Sequence, residues 1–150
     1  MAPIKDMVSY VLARVCKEHR QRVDEALKEM ARERCEGHEL HVGQEMILLQ
    51  LWGAEGLTQS QLAERLGVEP PTVTKMLRRM ETGGLLSRCG DVEDARVSRV
   101  HLTELGRALE TPVTQSWEQV EARVTAGMTA EERMLLRRLL QQVLVNLSEP

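Results

Sequence analysis

The chain has 150 residues, 42% of them apolar, which is enough for one domain with a sizeable core. That core must be aliphatic, since the sequence holds no Phe, one Tyr and two Trp; Leu, Val, Ala and Met suit helix-on-helix packing better than a sheet sandwich. A net charge of −3 excludes a globally basic nucleic-acid binder, so any contact with phosphate has to come from local charge.

Residues 4–34 read as one long helix, because Ile4, Val8, Val11, Leu12, Val15, His19, Val23, Ala26, Leu27 and Met30 recur at steps of three and four. Gly37 is a stop signal just past its end. A terminal helix of this length often packs against a partner chain; packing against its own domain is equally open. A second helix covers about residues 43–54, where Met46, Ile47, Leu49, Leu51 and Trp52 make it apolar almost all round, hence central and buried. Thr58 opens a third helix: with Gln61 it fits a capping box, the Thr oxygen accepting a backbone N–H and the Gln reaching back. Gly67 ends that helix. Pro70 suits the first turn of a fourth, where its missing N–H would be orphaned anyway, and this helix runs to about Thr82 before Gly83 and Gly84 break it.

Residues 85–89 and 97–102 read as two strands, with Val100 and Leu102 alternating with Arg99 and His101. The loop between them, 90–95, is too polar for core. Thr103 caps a fifth helix reaching about Ala126 and closed by Gly127; Pro112 inside it should kink it or leave one backbone bond unmade. Thr129 with Glu132 forms a second capping box and starts a last helix through Leu135, Leu136, Leu139, Leu140, Val143, Leu144 and Leu147. There is no internal repeat, low-complexity tract or linker.

The third and fourth helices carry the spacing of a helix-turn-helix. Ala63 sits where two helices cross closely, Gly67 four residues later where the chain must turn, and Val73 and Met76 face back onto the first helix. An ordinary helical hairpin is the bland alternative. The segment 70–80 contains Lys75, Arg78 and Arg79 and no acid. Its polar surface is Thr72, Thr74, Lys75, Arg78 and Arg79, while Val73, Met76, Leu77 and Met80 point inward. Arg can pair with both guanine acceptors, and Thr can donate to phosphate or touch a thymine methyl. Which of these residues read bases and which hold phosphate stays open, and a solvated charged face is the alternative for the arginines. The two strands make a wing, the second DNA-contacting element, with Arg88, Asp94, Arg96 and Arg99 as its candidate residues. Arg88 leaves the first strand, and the tip carries Asp91, Glu93 and Asp94, offset by Arg96 and Arg99. Asp94 is expected to orient a neighbouring basic group while Arg96 enters a narrow minor groove, where negative potential is concentrated. An internal wing salt bridge is the competing reading.

At these residues the chain resembles the MarR family of bacterial winged-helix regulators. The resemblance is carried by residues 58–68 (Thr-Gln-Ser-Gln-Leu-Ala-Glu-Arg-Leu-Gly-Val), Thr72-Val73-Thr74, Gly84-Leu85, Arg88, and the wing pattern Asp94-x-Arg96 followed by Val100, Leu102, Thr103 and Gly106. It implies a mainly α fold with a small two-strand β-wing, one domain over residues 1–150. Within it, 1–36 and 104–150 would supply dimerisation helices and about 43–103 the winged helix-turn-helix lobe. It also implies a homodimer on double-stranded DNA, at a pseudo-palindromic operator, and repression relieved by a small-molecule effector or by thiol oxidation. The effector crevice of the family lies between the dimer helices and the lobe, where Tyr10, Trp52 and Trp117 are the aromatics on offer.

The chain's three cysteines are scattered. With no secretory apolar segment at the start and no apolar run near the ~18 residues of a membrane span, they point to a reduced cytoplasmic protein with free thiols and no membrane partner. Cys16 reads first as a buried structural cysteine; a redox thiol activated by Arg14, Lys17 and His19 is the alternative. Cys89, beside Arg88 in the wing, could disturb DNA binding if oxidised. Cys35, His38, Glu39 and His41 could supply zinc ligands from one loop, but the resemblance would want further ligands from the fifth helix, which has no His, so no metal and no cofactor is assigned. For catalysis nothing is assembled: no glycine-rich phosphate loop, no nucleophile elbow and no paired acids at a meaningful spacing. A winged-helix module that binds protein is the rival, but it would carry apolar residues where Lys75, Arg78 and Arg79 stand.

Overall fold

The long apolar stripe at the amino end forms α1 (Val8–Arg34), preceded by a single 3-10 turn at Ile4–Asp6 rather than by continuous α-helix from residue 4. The computed structural model describes residues 3–34, 40–94 and 96–149. Gly37 and the group Cys35, His38 and Glu39 lie outside the described residues. The stripe of α1 divides in two. Val23, Leu27, Met30 and Ala31 are buried in the core, whereas Val8 and Val11 are 77% and 54% exposed. Half of the helix therefore packs against its own chain, chiefly on α6 (Glu110–Val124), and half is left bare.

The second helix, α2 (Gln44–Gly53), buries Ile47, Leu48 and Leu51 completely, but Met46 and Leu49 remain partly exposed, so it is less enclosed than its composition suggests. A two-residue strand β1 (Leu57–Thr58) follows, then α3 (Gln59–Leu66), α4 (Pro70–Thr82), β2 (Leu86–Gly90) and β3 (Ser98–Leu102). The sheet has three antiparallel strands in the order β1-β3-β2, with Leu57 opposite Val100 and Arg88 opposite Val100 on the other side. The two-strand wing read from the sequence thus gains a third strand. Two residues are too few to show alternation, but pairing with β3 gives β3 partners on both sides.

The expected fifth helix is two helices, α5 (Glu104–Ala108) and α6, broken at Leu109. Pro112 explains the break: it has no N–H to give to the carbonyl four residues back, Ala108, so the ladder is interrupted at that step and resumes with Val113 N–H donating to Leu109 O at 3.0 Å. The last helix, α7 (Ala130–Ser148), begins at the Thr129 and Glu132 capping box and contains no buried residue; Leu135, Leu139, Leu140, Leu144 and Leu147 all stand exposed. The core is aliphatic throughout and draws on α1 to α6 and all three strands. No described helix is long and apolar enough to cross a membrane.

Gly106 marks a close approach of α5 to the residue before β2. A Cβ there would overlap the Leu85 carbonyl oxygen and lie 3.1 Å from Leu102 Cδ2. Around it, Thr103 N–H donates to Leu85 O (3.1 Å), Thr103 Oγ1–H to Gly84 O (2.6 Å), and the Trp52 indole N–H to Gly106 O (3.0 Å).

Candidate nucleic-acid interface

The helix-turn-helix is set by local chemistry at three points. Both halves of the capping box form: Gln61 N–H donates to Thr58 Oγ1 (3.2 Å) and Thr58 N–H to Gln61 Oε1 (2.9 Å). Gly67 closes α3 at φ 62°, the left-handed conformation that glycine adopts without penalty. Pro70 and Pro71 then occupy the first turn of α4, where no intrahelical donor is needed. Ala63 is buried at the crossing, and Val73, Leu77 and Met80 lie beneath α4.

The outer surface of α4 carries Thr72, Lys75, Arg78 and Arg79, all exposed, with Thr74 half-buried at its edge. Among the described residues, none of the three cations on this face has an ion-pair partner. Three positive charges thus share one helix face, next to a turn that holds it clear of the core.

The wing residues separate into two kinds. The Arg88 guanidinium bonds Glu81 on α4 (Nε to Oε2, 3.0 Å), and this hydrogen bond holds the Glu81 carboxyl below its usual range. Arg99 pairs with Asp91 and donates to the Gly56 carbonyl at 2.9 Å. Asp91 is held below the usual carboxylate range first by Arg99 and then by the N–H groups of Glu93 and Asp94. Of the sequence-derived candidates, Arg88 and Arg99 are therefore spent on bracing the wing. Asp94 does orient a basic residue, but through the backbone: its Oδ1 accepts from Arg96 N–H at 3.0 Å. The Arg96 side chain stays exposed and, among the described residues, unpaired.

The three aromatic residues on offer for a ligand crevice are not brought together. Tyr10 lines a cavity of about 620 Å³ between α1 and α6, along with Arg14, Arg22 and Arg123. Trp52 packs against the core with its N–H committed to Gly106. Trp117 is the aromatic at the crevice between the long helices and the lobe, a cavity of about 290 Å³ that also touches His19, Arg20, Gly43 and Glu45. The rings of His19 and Trp117 are 5.7 Å apart, and the Trp117 indole N–H is buried with no hydrogen-bond partner among the described residues. Glu45 is 2% exposed; its carboxylate accepts from Gly43 N–H, and burial pushes its carboxyl up from the usual value. Sequence reasoning missed Glu45, Glu81 as the partner of Arg88, and Gln59, whose amide N–H donates to Thr74 Oγ1. Gln59 and Thr74 are fifteen residues apart, so no periodicity links them.

Cys16 is exposed on α1, contrary to the expectation of a buried structural thiol, because it lies on the half of the helix that its own chain leaves bare. Cys89 is exposed on β2, opposite Arg99. No group of three His, Cys, Asp or Glu side chains among the described residues could hold a metal ion; Cys35, His38 and Glu39 are outside them.

A family model described as the MarR family matches residues 40–98. The HTH-type transcriptional regulator TtmR of Methylorubrum extorquens (strain PA1) is 35% identical over 99 residues, covering 66% of this chain and 50% of that one. The chain thus spans about half the length of that relative. Among solved structures, BpsR of Bordetella bronchiseptica, whose DNA binding is regulated by 6-hydroxynicotinic acid, superposes with a TM-score of 0.83 at 21% identity, over 95% of this chain and 96% of that one. The S. aureus MepR–DNA complex gives 0.81 at 24% identity, over 97% and 100%. At these identities the likeness to the solved structures is one of fold.

Proposed function

We propose that the chain, whose residues 40–98 match a MarR family model, is a member of that family and a dimeric, sequence-selective DNA-binding regulator of transcription, a repressor released by a small-molecule effector. One observation carries the reading: three unpaired cations, Lys75, Arg78 and Arg79, stand on the outer face of the second helix of a helix-turn-helix. In a chain of net charge −3, such a local concentration is what duplex phosphate and guanine edges would select. On this reading α4 enters a major groove with Thr72 and Thr74 beside the cations, and Arg96 at the wing tip meets the adjacent minor groove. Arg88 and Arg99 contribute by holding the wing in shape, and Asp94 by fixing the backbone of Arg96.

The bare apolar faces support a homodimer. Ile4, Val8, Val11 and Val15 on the amino-terminal segment and five exposed leucines on α7 are more apolar surface than a monomer keeps in water, and α1, α6 and α7 are the arms a second copy would cover. Two-fold symmetry then calls for a pseudo-palindrome with half-sites about one helical turn apart. The 290 Å³ crevice supports an effector site, since it holds an unpartnered buried indole N–H and touches both α1 and the start of α2. Gly43, on its wall, lies close to Met76 of α4: a Cβ added there would be 3.6 Å from the Met76 sulfur. A ligand pressing on Gly43 would therefore press on the helix that meets DNA.

Selection of duplexes from a random library by the purified protein tests the proposal. A recovered pseudo-palindromic consensus, bound by two chains, is expected. Recovery of no consensus at low salt would refute it in favour of a winged-helix module that binds protein.

A further inference from the structure

The Thr74 side chain has a hydrogen-bonding pattern that limits what it can read. Its hydroxyl donates its one proton to the Pro70 carbonyl oxygen, four residues back on α4, at 2.9 Å. The same oxygen accepts from the side-chain amide of Gln59 at the start of α3. Phosphate oxygens at neutral pH only accept hydrogen bonds, so a hydroxyl whose proton is already committed has nothing to offer them. Yet Thr74 is half-exposed, on the flank of the face that carries Lys75 and Arg78. What it can present is its methyl group.

We propose that Thr74 is a specificity-determining residue that reads a thymine through methyl–methyl contact, with Gln59 as the positioning residue that locks its hydroxyl inward. The inference rests on the DNA-binding reading above and deepens it. In the major groove the C5-methyl is the one apolar feature that separates thymine from every other unmodified base, so a fixed methyl donor at this position discriminates without any hydrogen bond. The brace matters because a free threonine could rotate its hydroxyl outward, accepting from a base amino group or donating to a phosphate oxygen. Thr72, at the helix start, has no such brace among the described residues and stays available for phosphate.

The test uses the duplex selected from the random library, with each thymine in turn replaced by deoxyuracil, which removes only the methyl. One thymine in each half-site should show weaker binding to the wild-type protein when so replaced, by roughly fourfold for the loss of one buried methyl. Thr74→Ser keeps the hydroxyl and both of its bonds but has no methyl, and should bind the thymine and uracil duplexes equally. Thr74→Val keeps the methyl and should retain the discrimination. A flat uracil series with the wild-type protein, or a Thr74→Ser variant that still prefers thymine at the same position, would overturn the inference while leaving DNA binding intact. Recovery of no duplex from the library would overturn the reading beneath it and the inference together.

Discussion

Replacing Gly106 by alanine should destabilise the protein, against the usual sign for glycine within a helix. At an unconstrained interior position, Gly→Ala gains about 1 kcal/mol of helix propensity. Here the added methyl would overlap the Leu85 carbonyl oxygen and press on Leu102 Cδ2. The obstacle is backbone, which cannot rotate aside as a long side chain could. α5 would have to withdraw from the β2 entrance, stretching the Thr103-to-Leu85 bond (3.1 Å) and the Trp52-to-Gly106 bond (3.0 Å). Two weakened hydrogen bonds cost about 1 kcal/mol each, and overpacking a tight contact costs about 1–3 kcal/mol. Set against the propensity gain, the net loss is about 2–4 kcal/mol. Urea unfolding followed by circular dichroism, at one fixed protein concentration so that self-association does not shift the midpoint, should show a fall of about 1–2 M. A midpoint unchanged or raised would refute the close approach of α5 to Leu85.

Two further outcomes follow from the titrating groups. Burial raises the Glu45 carboxyl in the fold, so its ionisation works against the folded state as pH rises; Glu45→Gln should unfold at a higher temperature than wild type at pH 7–8, with the gap closing as pH falls into the acid range, as read by calorimetry. Asp91 is shifted the other way: its folded carboxyl is lowered by Arg99 and two backbone N–H groups, so the brace contributes above the usual carboxylate range and is lost as pH falls through the lowered folded value. Asp91→Ala should therefore lower hydrogen-exchange protection in the wing at neutral pH, at the N–H groups of Glu93, Asp94 and Val97, with little further change on acidification; wild-type protection in the variant would contradict the brace.

Local signals made most of the architecture legible in advance. The Thr58 and Thr129 capping boxes, Gly67 in its left-handed turn and the Pro70 helix start are each written within four residues of sequence, and all appear as read. What was not legible depends on residues far apart. The strand at Leu57–Thr58 exists because β3 has a free edge, and a two-residue run carries no period of its own. Pro112 marks a fault in its helix by sequence, but the fault falls three residues earlier, at Leu109, because the missing N–H acts on the preceding turn. The wing arginines look equivalent in sequence; only the partners Glu81, Asp91 and Gly56 distinguish Arg88 and Arg99 from the unpaired Arg96. The partner of the Trp52 N–H, the Gly106 carbonyl, lies fifty-four residues away, beyond the reach of any local pattern. The exposed stripe of α1 was legible as apolar, while its division into a buried and a bare half required the position of α6.

The claim that the α4 face binds duplex is tested most directly by the salt dependence of affinity for the selected duplex, measured for the wild type and for a variant with Lys75, Arg78 and Arg79 all replaced by Ala. Each phosphate contact contributes about 0.9 to the slope of log affinity against log salt. The wild type should bind selectively with a steep negative slope, and the variant should bind far more weakly with a flatter one, by about one unit for each phosphate-contacting cation removed. Equal affinity and equal slope in the two proteins would contradict the account.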